Sequence, residues 1–174
     1  TTPEYYPLSL NALVSACNQK SNRNPVVNYD EELVNKTIES LREKKLVMRR
    51  TGDDLRVPKF RQTFTEFYNL DIPEMAVMCT LFLRGAQTPG EIRARCSRIF
   101  NFESLQTLEN TLIKLMDGEG SFIKKLPKQS GTKESRYVQL FGEEKTESNN
   151  LNEVFDDELI PHSQRLEALE DRVL

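Results

Sequence analysis

Two long stretches repeat apolar residues at helical spacing. Leu33, Val34, Thr37, Ile38 and Leu41 share one face, and Leu105, Leu108, Leu112 and Leu115 share another. A shorter amphipathic segment precedes each: Leu8 to Cys17, and Glu91 to Ile99. A β-prone pair follows each. Leu46 to Arg50 and Leu55 to Phe60 flank Thr51-Gly52-Asp53-Asp54, and Ser121 to Leu126 and Arg136 to Phe141 flank a polar turn around Gly131. Pro58 has no N–H to give a ladder, so its strand is expected at a sheet edge. Val26-Val27, just after Pro25, could add a third strand.

The order short helix, long helix, hairpin therefore occurs twice. Thr2-Pro3-Glu4 opens the first copy and Thr88-Pro89-Gly90-Glu91 the second. The expected fold is α+β with helix in excess: two tandem winged-helix units, each a helix-turn-helix with a β-wing. The predicted boundaries are 1–64 and 71–142, with a linker at 65–70 and an acidic tail at 143–174 that ends in a helix. Phe64 and Phe67 predict that the linker packs and fixes the units together. The second copy also has a leading helix, Pro73 to Arg84, closed by Gly85. The first copy shows no such helix after Thr1. The expectation is a longer native chain; the alternative is another surface that covers the open core.

Charge divides the chain in the same places. Residues 1–64 hold eleven Lys/Arg and eight Asp/Glu, 71–142 hold ten and eight, and 143–174 hold three and ten. A mildly basic body thus carries an acidic tail, which the net charge of −3 conceals. Leu159, Leu166, Leu169 and Val173 recur at heptad-compatible spacing, so residues 159–174 are expected either to pack back on the body or to form a homodimer seam. No run of about 18 apolar residues appears, and no secretory leader is visible, so a cytoplasmic protein outside the membrane is expected. Cys17, Cys79 and Cys96 read as reduced, buried small side chains.

Little here supports catalysis. The lone histidine, His162, lies in the tail, no Gly-rich phosphate loop is present, and no Cys/His set has metal spacing. The expectation is no enzyme, no cofactor and no metal. The long helices also read poorly as base readers. Their outward faces carry Glu31, Glu32, Glu39, Glu43, Glu103 and Glu109, and carboxylates repel phosphates.

The cations lie on the predicted wings and the short second helix. Arg49, Arg50, Arg56 and Lys59 (with Arg61) belong to the first hairpin, Lys124, Lys125, Lys128 and Lys133 (with Arg136) to the second, and Arg95 and Arg98 share one helix face. Such residues can hold DNA backbone without reading bases, or they are ordinary solvated strand edges. Arg84 stands near a helix C-terminus, where a cation suits the helix dipole alone. Between the first two helices runs CNQKSNRNPVVNYDEE. Asn24 to Glu31 is explained by helix and turn geometry, with Asn28 as the expected N-cap. Asn18, Gln19, Lys20, Asn22 and Arg23 exceed what a turn needs; they are either a bonded loop or a contact surface for a partner or nucleic acid, with Asn18, Gln19, Asn22 and Arg23 as the expected partner-binding residues.

The blocks NALVSACNQKSNRNPVVNYDEELV, FLRGAQTPGEIRAR and ESRYVQLF resemble the bacterial YceH-like family. The resemblance covers nearly all of residues 1–141. It implies tandem winged helices, usually with a helix ahead of the TTPE position and a coiled coil at the end, and it implies no established activity. Two functions follow as expectations. One is a DNA-associated regulator that grips phosphates with its wings. The other is a protein-interaction module, like the accessory subunits of chromosome-condensing complexes.

Overall fold

A computed structural model describes residues 6–52, 55–117, 120–129, 131 and 134–142. The proposed dimer seam at 159–174 and the TTPE opening lie outside these residues.

The first unit begins with β1 (Leu8–Ser9) and α1 (Leu10–Cys17), continues with α2 (Glu31–Glu43), and ends with β2 (Val47–Arg50) and β3 (Lys59–Gln62). A single helical turn, α3 (Phe64–Phe67), leads to α4 (Ile72–Arg84), α5 (Pro89–Cys96), α6 (Leu105–Asp117), β4 (Ile123–Lys125) and β5 (Tyr137–Gln139). The result is a helix-rich α+β protein with small antiparallel sheets.

Helix starts follow local chemistry. The Ser9 hydroxyl accepts from Ala12 N–H at α1, and the Asp30 carboxylate accepts from Leu33 N–H at α2. Asp30, not Asn28, is therefore the N-cap. Both α4 and α5 carry reciprocal capping boxes, Asp71 with Glu74 and Thr88 with Glu91, and each has proline in its first turn. Gly85 ends α4 at φ 68°, ψ −150°, a conformation open in practice only to glycine.

The strands differ from expectation in three ways. The sheet order is β1-β3-β2, so the strand after Pro58 is central and not an edge. Pro58 is tolerated because it precedes the ladder, which starts at Lys59. The third strand comes from Leu8–Ser9, paired with Phe60 and Lys59, and not from Val26-Val27. The second unit repeats this in miniature: Gln87 forms a bridge with Tyr137, and Thr88 then caps α5. The structural counterpart of Thr88 is thus Ser9, the residue between strand and helix, rather than Thr2.

The two cores are unequal. In the second unit α4 covers α5, α6 and β5, and Ala76, Val77, Ile92, Leu108 and Leu112 are wholly buried. The first unit encloses Val34, Ile38 and Phe60, backed by partly buried Leu10, Leu13, Val14, Cys17 and Val47. No helix among the described residues plays the part of α4 there. An apolar groove of about 500 Å³ remains, walled chiefly by Tyr6, Leu13, Leu33, Ile38, Leu41 and Phe60. Leu33 is 46% exposed. Leu105 is likewise 42% exposed, although both residues fit the apolar stripes of their helices.

The units touch. Phe64 meets Tyr68, Phe82 and Phe141 with ring centroids 4.8, 5.7 and 5.2 Å away, so the segment around α3 sits on the second unit. Asn24 N–H donates to Leu83 C=O at 2.9 Å, which joins the α1–α2 loop to the end of α4.

The cysteines are all free thiols. Cys96 is buried, and burial pushes its pKa up to about 11. Burial raises Cys79 as well. Cys17 is half-buried and opens on the groove. Native labelling with a maleimide at pH 8, read by mass spectrometry, is expected to modify Cys17 first and to reach Cys96 only on unfolding.

Candidate nucleic-acid interface

Strand pairing sorts the hairpin cations by face. In the first hairpin Val47 pairs with Gln62, Met48 with Arg61, Arg49 with Phe60 and Arg50 with Lys59. Directly paired residues share a face, and neighbours along a strand alternate. Arg49 therefore lies on the side of buried Phe60, while Arg50 and Lys59 stand together on the opposite side with Met48 and Arg61. Arg61 makes a two-pronged bond to Glu66, at 2.5 and 3.0 Å. That bond holds Arg61 above its usual pKa and Glu66 below its own. Arg56 is exposed in the connection ahead of β3.

The second hairpin divides in the same manner. Ile123 pairs with Gln139, Lys124 with Val138 and Lys125 with Tyr137. Lys125 falls on the inner side, its ammonium 5.8 Å from the Tyr137 ring centre, and Lys124 falls on the outer side. Lys128 is exposed in the following loop. Lys133 lies outside the described residues.

On α5, Arg95 approaches Glu91 at 3.7 Å. Arg93 donates to the carbonyls of Phe102 and Glu103, at 3.1 and 2.9 Å, and so ties α5 to the approach to α6. Arg98, just beyond the helix, is exposed. Arg136 reaches the Ala86 carbonyl at 3.0 Å and Glu91 at 3.3 Å. The Glu91 carboxyl is held below its ordinary pKa, first by the Thr88 backbone N–H and then by Arg136 and Arg95.

The Asn-rich loop is internally bonded. The Asn18 side chain donates to Tyr29 C=O and accepts from Tyr29 N–H, both at 2.7 Å. Asn22 adopts a left-handed φ of 60°, which asparagine tolerates. Its side-chain oxygen accepts from Arg84 Nη2 at 2.6 Å. Arg23 donates to the carbonyls of Ala16 and Asn22, at 2.7 and 3.0 Å. Gln19 is exposed. Three of the four side chains expected at a partner surface thus make bonds within this chain, and one of them, Asn22, bonds to the second unit. Arg84, read from sequence as a dipole partner, is the residue that the loop engages. The one available hint was the density of asparagines, since nothing in the sequence states which helix end faces the loop.

Among the described residues no group of three or more His, Cys, Asp and Glu could hold a metal ion. No helix among them is long and apolar enough to cross a membrane.

Fold and surface define a helix-rich α+β protein in which a helix–helix–hairpin plan occurs twice and cations gather on the ribbons and between the units. The chain belongs to the family described as a protein of unknown function, DUF480, whose model matches residues 1–132. A UPF0502 protein from Solibacter usitatus is 57% identical over 140 residues, which cover 80% of this chain and 66% of that protein. UPF0502 proteins from Geotalea daltonii and Opitutus terrae are 47% and 50% identical, over 93% and 82% of this chain and 78% and 62% of theirs. The chain thus spans about two-thirds of the length of several relatives that it matches.

Proposed function

We propose that the protein is a non-enzymatic, DNA-associated regulator of tandem winged-helix type that holds backbone phosphates with its basic hairpins. The element order supports the winged-helix part, with a short strand ahead of the first short helix returning to the last ribbon strand in both units. The observation that carries the DNA part is the pairing of Arg50 with Lys59 on the exposed side of the first hairpin. Two cations side by side on one face of a ribbon can both lie along a single phosphate backbone. The carboxylates along α2 argue that contact stops at the backbone. Binding is then weak, tolerant of sequence and sensitive to salt. A duplex titrated between 50 and 200 mM salt should give a log–log slope of roughly −3 to −5, as expected for four or five contacts. A slope near zero, or no binding at low salt, refutes the reading.

The second reading, a protein-interaction module, is favoured by the groove of the first unit. Its chemistry fits an amphipathic helix with an Ala/Val/Leu face, since α4 presents such a face at the matching place in the second unit.

A further inference from the structure

We infer that the seam between the two units, built by Arg23, Arg84 and Arg95, binds a phosphate group. None of the three lies on a hairpin, so binding here can be tested without altering the hairpin cations, although Arg136 joins the site from the second hairpin.

Each residue comes from a different element. Arg23 lies in the α1–α2 loop, Arg84 ends α4, and Arg95 lies in the last turn of α5. Two contacts hold Arg23 and Arg84 in one place, and Arg95 stands on the neighbouring α5 with its own bond to Glu91. The Asn24-to-Leu83 backbone bond fixes the loop against α4, and Asn22 holds the Arg84 guanidinium beside Arg23. Arg136 adds a fourth guanidinium through Ala86 C=O and Glu91. Glu91 is the carboxylate that meets this group, and it is shared between Arg95 and Arg136. Among the described residues, four cations against this one carboxylate leave the seam positive. The C-terminal end of the α4 dipole offsets only about half a charge.

Two further observations favour an anion as the ligand of this seam. Among the described residues the Nε of Arg23 is buried and has no hydrogen-bond partner, although burial normally demands one. The Arg84 guanidinium is held below its ordinary pKa, first by burial and then by repulsion from Arg95 and Arg23. The guanidiniums are only partly covered, with the Arg95 side chain 32% exposed. Planar guanidinium groups match phosphate oxygens in pairs, which suits this site to a phosphoryl oxyanion more than to a halide.

A phosphate group could come from a free phosphorylated molecule or from DNA backbone. Inorganic pyrophosphate is a suitable first probe for the whole chain. The thermal midpoint should rise with pyrophosphate beyond its rise in sodium chloride of equal ionic strength. Arg95→Gln and Arg84→Gln should each weaken binding about tenfold or more, the usual scale for one charge-assisted contact. Lys36→Gln on α2 removes one exposed positive charge outside the seam and should keep most of the affinity, so a general loss of charge is told apart from loss of the seam. Duplex DNA that displaces pyrophosphate identifies backbone as the source, whereas binding of both together identifies a free ligand. The inference is overturned if pyrophosphate acts no better than chloride, or if Arg95→Gln and Arg84→Gln bind it like the unaltered protein. Since no hairpin residue is changed, loss of DNA binding at the hairpins would leave this result intact.

Discussion

Leu112→Ala is expected to destabilise the protein by roughly 2–5 kcal/mol, and Ile38→Ala by clearly less. Leu112 is wholly enclosed, with Leu108, Val77 and Ile92 in the same cluster. Removing its branched end leaves a void that the capped helices around it cannot fill by moving. Ile38 is nearly as buried, but it borders the open groove. There Leu13, Leu33 and Leu41 have space to shift, and water already reaches one side. The loss then approaches the transfer term alone, about 25 cal/mol per Å² of apolar surface. Against a typical total of about 5–15 kcal/mol, the Leu112 change removes a large share of stability. Denaturant midpoints of both variants test the contrast. Equal losses, or a greater loss at Ile38, would mean that the groove is closed in solution.

Charge reversal of Arg50 and Lys59 to glutamate is expected to lower affinity for duplex DNA at least about tenfold at low salt and to flatten the salt slope by about 2, while Arg49→Glu has a much smaller effect. The difference comes from the strand pairing. Arg50 and Lys59 face each other on one side of the ribbon, and Arg49 lies on the other side, opposite Phe60. A phosphate backbone running along the outer side meets the first two and misses the third. Fluorescence anisotropy at several salt concentrations measures both quantities. If Arg49→Glu matches the double variant, charge in general and not the outer side governs binding.

The helices were legible because their signals are local. Asp71 and Glu74 start α4 and Gly85 stops it; Thr88 and Glu91 start α5. The second strand of the first hairpin was misplaced. Leu55 to Pro58 look β-prone, but the ladder begins only at Lys59 and runs on to Gln62. The third strand escaped because Leu8–Ser9 is two residues long and is defined by Phe60 and Lys59 far along the chain. The same limit applied to the candidate site. A list of cations such as Arg49-Arg50 or Lys124-Lys125 hides the fact that pleating sends neighbours apart. Distant residues such as Arg23 and Arg84 meet only because two units dock. Periodicity says which face of a helix is apolar; it does not say whether anything covers that face, so Leu33 and Leu105 joined the expected core and stand exposed.

The better-packed half of this protein is the later one in sequence, and translation delivers the earlier one first. At roughly 5–20 residues per second, several seconds separate the synthesis of α2 from that of β5. Early in that interval the α1–α2 loop would lack the end of α4 that Asn24 and Asn22 bind. That loop should therefore reach its native arrangement only after α4 has emerged from the ribosome.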